Sequence, residues 1–153
     1  MENHFQEDEL KKLRELVDNV KIAMLCTKHA DHLHSRPMAT SKIDEQGNIW
    51  FFSAEYSGKI EQVEHDSQVC LSYSNPSKNI YVSITGEAEL VNDWAKMKEL
   101  YNPAIKAWFP KGLDDPKLSL LKINTHRAEY WDTSSSKMVT FFNIIKSVVT
   151  GEK

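Results

Sequence analysis

Cysteine is scarce in this chain of 153 residues: Cys26 and Cys70 are the whole complement. There is no Cys-x-x-Cys pair and no zinc-finger spacing, which excludes a disulfide scaffold and a structural zinc module. Both cysteines sit inside apolar, strand-like runs, and the expectation is two buried free thiols in a reducing cytoplasm. No apolar run approaches the roughly 20 residues a membrane span needs. The first nine residues, from Met1 to Glu9, lack the basic and apolar regions of a signal peptide, so the expected location is cytoplasmic, with no membrane partner. Basic residues do not dominate: 19 Lys and Arg against 22 Asp and Glu leave a net charge of −3. That balance excludes the basic footprint of a nucleic-acid binder. No Gly-x-Ser-x-Gly elbow occurs, no Walker A order of glycines and lysine, and no obvious Cys–His arrangement. No catalytic nucleophile or acid–base pair can be named. Internal repeats, low-complexity tracts and linkers are also missing, so residues 1–153 read as one domain.

What remains is an ordinary globular composition, 41% hydrophobic and 27% charged, in a chain long enough to bury a core without staples. Residues 5–19 predict a helix, with Leu10, Leu13, Leu16 and Val17 on one stripe and acidic residues near its start. Residues 21–28 predict a strand, and the turn at 28–31 a hairpin into a second strand over 32–42. In that strand Leu33, Ser35, Pro37 and Ala39 face one way, and His34, Arg36, Met38 and Thr40 the other. Pro37 makes the strand an edge or a bulge. Residues 44–48 predict a turn, and 49–52 a buried aromatic strand.

Further strands are expected over 68–74, 79–91, 118–124 and 128–132. A bulge or bend is expected at Thr85–Gly86. A helix is expected over 93–101 with Asn92 or Asp93 as its cap. A second short helix is expected over 103–109, and a closing helix over 139–149. About seven short strands at this spacing predict a barrel or sandwich rather than a parallel doubly wound sheet.

Three places carry candidate chemistry. After the aromatic strand, Ser53, Ser57, Gly58 and Lys59 lead into a segment with Ile60 and Val63 at helical spacing. A helix start exposes unpaired N–H groups and the positive end of the dipole. With hydroxyls and an ammonium added, it suits a phosphate. The same residues also suit a capped surface helix. Arg36 lies within an otherwise apolar strand, either exposed at an edge or aimed at that phosphate, where its planar fork binds bidentately. Trp131 ends the last expected strand, at a position suited to core, interface or ligand contact. His32 and His34 share a strand face and His29 lies in the turn before them, but no carboxylate or thiol completes a metal site.

Taken together, Ser35–Met38, then Trp50–Ser53 with Ser57, Gly58 and Lys59, then Ala128–Asp132, resemble the pyridoxamine 5′-phosphate oxidase-like flavoproteins. The likeness is nearest to their bacterial general stress protein branch and covers about residues 16–131. The resemblance implies a mainly β fold of α+β type, an antiparallel Greek-key split β-barrel flanked by helices. It also implies a homodimer with FMN in a groove at the subunit interface. FAD or a deazaflavin would share the phosphate contacts.

Carried onto this chain, Arg36 would contact the FMN phosphate or ribityl chain. Pro37 and Met38 would lie along the isoalloxazine, their backbone bonding its polar edge. Phe52 and Ser53 would line the ring and ribityl chain, Ser57 and Lys59 would hold the phosphate, and Trp131 would reach the flavin from the partner subunit. Trp108 and Phe109 are candidate walls of a substrate pocket over the exposed ring.

The chain also departs from the oxidase. Gly58 and Ser41 stand where the oxidase has Arg and Lys, which implies weaker FMN binding. Thr133–Ser136 replaces its C-terminal Arg-x-His element, which argues against vitamin B6 oxidation. The implied function is a flavoprotein of the general stress type, in one form an oxidoreductase or flavin reductase acting on a small molecule. The alternative is a non-catalytic sensor of flavin or another planar ligand, such as a tetrapyrrole.

Overall fold

A computed structural model describes residues 2–54 and 67–140, the side chains of residues 2–6 and 29 excepted. Helix α1 (Glu2–Asp18) leads into β1 (Ile22–His29) and β2 (His32–Ile43). These strands form a hairpin whose tip pairs His29 with His32, Ala30 taking a left-handed φ of 54°. β3 (Ile49–Ala54), β4 (Gln68–Asn75) and β5 (Ile80–Val91) follow, then helix α2 (Trp94–Leu100), β6 (Leu118–Asp132) and β7 (Lys137–Thr140). All pairings are antiparallel, in the order β3-β2-β1-β4-β5-β6-β7. A further pairing of β3 with β6 closes the first six strands into a barrel. β1 pairs with β4 rather than with a second sequence neighbour, which gives the split-barrel, Greek-key connectivity expected.

Alternation explains the barrel. Ala23, Leu25 and Thr27 on β1, Val69, Leu71 and Tyr73 on β4, and Val82 and Ile84 on β5 point inward and are buried. Each fully buried aliphatic or aromatic side chain contributes on the order of 1.5–3 kcal/mol. The stripe Leu10, Leu13, Leu16 and Val17 of α1 joins the same cluster as Leu25, Phe51 and Tyr130, so the helix covers the barrel core. A second, smaller cluster lies outside the barrel wall, where Trp50 and Phe52 meet Met97 and Leu100 of α2 together with Leu118 and Leu120. Asp93 caps α2, its carboxylate accepting from the amides of Ala95 at 3.0 Å and Lys96 at 3.3 Å.

Two turns fix the register. Asp44 accepts from the amides of Gln46 and Asn48, both at 2.9 Å, and from the indole of Trp50 at 3.0 Å. The expected bulge at Gly86 is present: Thr85 pairs with Arg127 and Gly86 with Thr125, leaving His126 as the extra residue. A β-carbon on Gly86 would stand 2.2 Å from the carbonyl oxygen of Asn124, so only glycine lets the two strands approach this closely.

Three local expectations are corrected. Residues 118–132 form one strand, because the bulge absorbs the stretch expected to separate two. Lys137–Thr140 is a strand where a closing helix was expected from Val139; Asp132 accepts from the amide and hydroxyl of Ser134, folding the chain back onto β6. The short helix expected over 103–109 is present, as a 3-10 helix over Pro103–Ala107. Cys26 and Cys70 are half-exposed rather than buried, because each occupies an outward position between two inward core residues. The remainder of the expected closing helix, and the helix expected from Lys59, lie outside the described residues. Among the described residues no helix is long and apolar enough to cross a membrane.

Candidate functional site

The barrel opens along one seam. β2 pairs with β1 from His32 to Ala39, but with β3 only through Thr40, Lys42 and Ile43, with a register slip between Thr40 and Lys42. β3 in turn pairs with β2 through Ile49, Trp50 and Phe51, while Phe52, Ser53 and Ala54 pair with β6 alone. Beyond the Thr40–Phe51 rung the two strands therefore part, and each shows an unpaired backbone edge to the gap among the described residues. Such edges offer N–H donors and C=O acceptors to a planar polar ligand.

Sequence alternation decides which side chains line the seam. Met38 is buried in the main core beside Thr40, whose hydroxyl lies 2.7 Å from the buried Tyr73 hydroxyl. Burial pushes the Tyr73 phenol well above its usual pKa, partly offset by that bond. Arg36, two residues earlier on the same face, is half-buried, and its Nη2 donates to Thr27 Oγ1 at 2.9 Å. Desolvation lowers the guanidinium's pKa, while the Cys26 sulfur acts in the opposite sense. A half-buried arginine remains fully cationic near neutrality, so the seam carries a fixed positive charge. Across the gap, Ser53 is 2% exposed, and its hydroxyl has no hydrogen-bond partner among the described residues. Its carbonyl accepts from Ser119 Oγ at 3.3 Å.

Not every candidate converges here. Pro37 turns outward and is exposed, so only its backbone lies at the seam. Phe52 also points away from Ser53, into the cluster beneath α2. Ser57 and Lys59 lie outside the described residues, just beyond the end of β3. Trp131 stands on β6 opposite Tyr81 and Met138, past the stretch of β6 from Leu118 to Ile123 that pairs with β3. It shares the outward face with Met24 and Pro37, not the inward face of Arg36. Trp108 is 70% exposed on the segment after α2, and Phe109 is half-buried beneath it. Thr27 was absent from the sequence candidates because it belongs to no motif. A two-residue hairpin turn at Ala30–Asp31 sets Leu25 opposite Arg36 and Thr27 opposite His34. Counting back from that turn would have found it. The described residues contain no group of three or more His, Cys, Asp or Glu placed to hold a metal.

Comparison with known proteins agrees with this architecture. The family model described as pyridoxamine 5′-phosphate oxidase like matches residues 8–153. General stress protein 26 of Bacillus subtilis is 25% identical over 121 residues, covering 77% of this chain and 84% of that protein. Protein bli-3 of Neurospora crassa is 24% identical over 157 residues, covering 95% of this chain and 75% of its own length. Among solved structures, a protein related to general stress protein 26 from Clostridium acetobutylicum shares the fold. Its TM-score is 0.77 at 23% identity, over 93% of this chain and 98% of that one. The general stress FMN/FAD binding protein of Xanthomonas citri aligns with a TM-score of 0.73 at 27% identity, over 87% of this chain and 94% of that one. With the barrel, its seam and a family match over nearly every residue in agreement, this chain belongs to the pyridoxamine 5′-phosphate oxidase-like family.

Proposed function

We propose that this protein binds a flavin mononucleotide at the seam between β2 and β3, between two copies of the chain, as a flavoprotein of the general stress type. The observation that carries the reading is the parting of β2 from β3 beyond the Thr40–Phe51 rung, with the cationic Arg36 on β2 and, on β3, the buried Ser53 hydroxyl, which has no hydrogen-bond partner among the described residues. An unsatisfied buried hydroxyl costs about 1–3 kcal/mol, which a ligand acceptor would recover. A phosphate or ribityl tail supplies such acceptors, and the open edges of β2 and β3 suit the polar rim of a flat ring. The general stress relative named as an FMN/FAD binding protein supports the class of ligand.

In this reading Arg36 holds the tail from one side. Ser53 meets it from the other, together with Ser57 and Lys59 in the segment that continues β3. Pro37 and Met38 offer backbone groups to the ring. Phe52 contributes backbone at the seam and packing behind it. A bound flavin would supply electron or hydride transfer, and the chain would position and tune it.

An apolar band on the outward face supports the reading of a second copy. Ile22, Met24, Pro37 and Ala39 form an exposed apolar band on the outward face, and Trp131 and Met138 continue that face across the sheet. A partner packed there would bring its own Trp131 toward the seam, which a single copy does not do. Thr133–Ser136 stands where the oxidase has its Arg-x-His element, and Asp132 binds Ser134 locally there, so vitamin B6 oxidation is not the activity proposed.

The test is a visible-absorbance titration with FMN, alongside sedimentation of the apo and loaded protein. Binding at or below tens of micromolar to a dimer is expected. Arg36→Ala and Lys59→Ala should each weaken it by about 1.5–3 kcal/mol, roughly 10- to 150-fold. No binding at that concentration, or unchanged affinity in both variants, would overturn the assignment. Anaerobic addition of NADH or NADPH then separates a turning-over enzyme, whose flavin bleaches, from a carrier or sensor.

A further inference from the structure

We propose that Cys26 and Cys70 form a reversible disulfide across β1 and β4, with a low-molecular-weight disulfide as oxidant. The two residues are direct register partners on antiparallel strands, so their side chains leave the sheet side by side on one face. That face is the outward one, because the flanking Leu25, Thr27, Val69 and Leu71 all point into the barrel. Both thiols are free and half-exposed. They are also the chain's only cysteines, so their direct apposition is not one contact among many.

Directly opposed residues of an antiparallel pair have α-carbons about 4.5 or about 5.5 Å apart, depending on the type of rung. Both spacings fall inside the roughly 4.4–6.8 Å a disulfide spans. The β-carbons of such pairs are about 4.5–5.5 Å apart, against about 3.5–4.5 Å in a disulfide. The strands must therefore draw together by up to about 1 Å. A bond closed against that resistance is more easily reduced than a structural disulfide. This favours a switch over a permanent staple.

The surroundings leave the pair approachable. Its rung runs Ser35, Cys26, Cys70, Thr85, Arg127 across four register pairings, and Ser35, Thr85 and Arg127 are exposed. The rung lies next to that of Met24 and Pro37 on the same outward face, two residues along β1. Cys70 Sγ is held only loosely, 3.8 Å from Ser83 Oγ and 4.0 Å from the Leu71 carbonyl.

The chemistry is ordinary exchange. One cysteine thiolate attacks a sulfur of the small disulfide, whose S–S bond breaks and releases one half as thiolate. The second cysteine thiolate attacks the mixed disulfide and releases the other half. The protein loses two protons and two electrons, and the small disulfide is reduced to two thiols.

Oxidised glutathione is the probe, read by intact mass and by a non-reducing peptide digest. The expected result is a protein two hydrogens lighter, with one linked peptide pair joining positions 26 and 70 within a single chain. Dithiothreitol should reverse it. Cys26→Ser and Cys70→Ser should each stop at a single glutathione adduct. Wild-type protein that keeps two titratable thiols, ends as stable glutathione adducts, or links only between chains would overturn the proposal.

Discussion

Gly86→Ala tests the geometry of the barrel directly, because two opposed effects decide its sign. Where the backbone tolerates it, replacing glycine by alanine stabilises a protein by about 0.4–1 kcal/mol through the unfolded chain. Gly86 has no positive φ, so conformation alone would permit that gain. Space forbids it. The new β-carbon would lie 2.2 Å from the Asn124 carbonyl oxygen, 3.0 Å from its carbon and 3.1 Å from Thr125 Cα. All three are backbone atoms, and relief requires β5 and β6 to separate by about 1 Å to reach ordinary contact.

β6 is not free to retreat, because Thr125 is held from the other side. Its hydroxyl donates to the Gly47 carbonyl at 2.7 Å and its amide to Asn48 Oδ1 at 3.3 Å, both buried. Moving it strains or breaks those bonds, at about 1 kcal/mol each and more if a group is left unsatisfied, with overpacking of about 1–3 kcal/mol besides. The net expectation is a loss of roughly 2–4 kcal/mol. At fixed protein concentration the urea midpoint should fall by roughly 1–2 M, with an unchanged slope. Melting should fall by roughly 5–15 °C. A variant within about 0.5 kcal/mol of wild type would refute the reasoning.

Substitutions at two further positions probe the interior and a helix cap. Tyr73→Phe removes the buried hydroxyl pair with Thr40 and should cost about 1 kcal/mol near neutral pH. Because Tyr73's folded pKa is raised, its contribution is complete below the ordinary phenol value of 10.0 and declines as pH rises past it. Wild type should therefore lose stability to alkali more steeply than Tyr73→Phe, read as urea midpoints between about pH 8 and about pH 11. Equal slopes would contradict it. Asp93→Ala should cost about 1 kcal/mol in a thermal melt, since it deprives the amides of Ala95 and Lys96 of their acceptor, whereas Asp93→Asn should retain most of the stability.

Local pattern determined much of this protein. The alternation from Leu33 to Thr40 placed Arg36 and Met38 on one face and Pro37 on the other, because side chains on a strand must alternate. Glycine within a strand announced the bulge, and the leucine stripe of α1 announced its buried face. The Ser35–Met38 and Trp50–Ser53 stretches, read together, carried the family. Ser57 and Lys59, beyond the described part of β3, rest on the sequence alone.

What tertiary structure decided is everything that depends on which strand lies beside which. The sequence led to the expectation that Cys26 and Cys70 are buried, whereas the pairing of β1 with β4 sets them opposite each other on the outward face. Local pattern pairs Phe52 with Ser53 in sequence, yet the strand sends one under α2 and the other to the seam. It cannot tell that β2 and β3 part after Thr40 while β3 stays paired to β6 as far as Ala54. Register between strands distant in sequence is set by packing and closure of the whole barrel, and no local pattern records it.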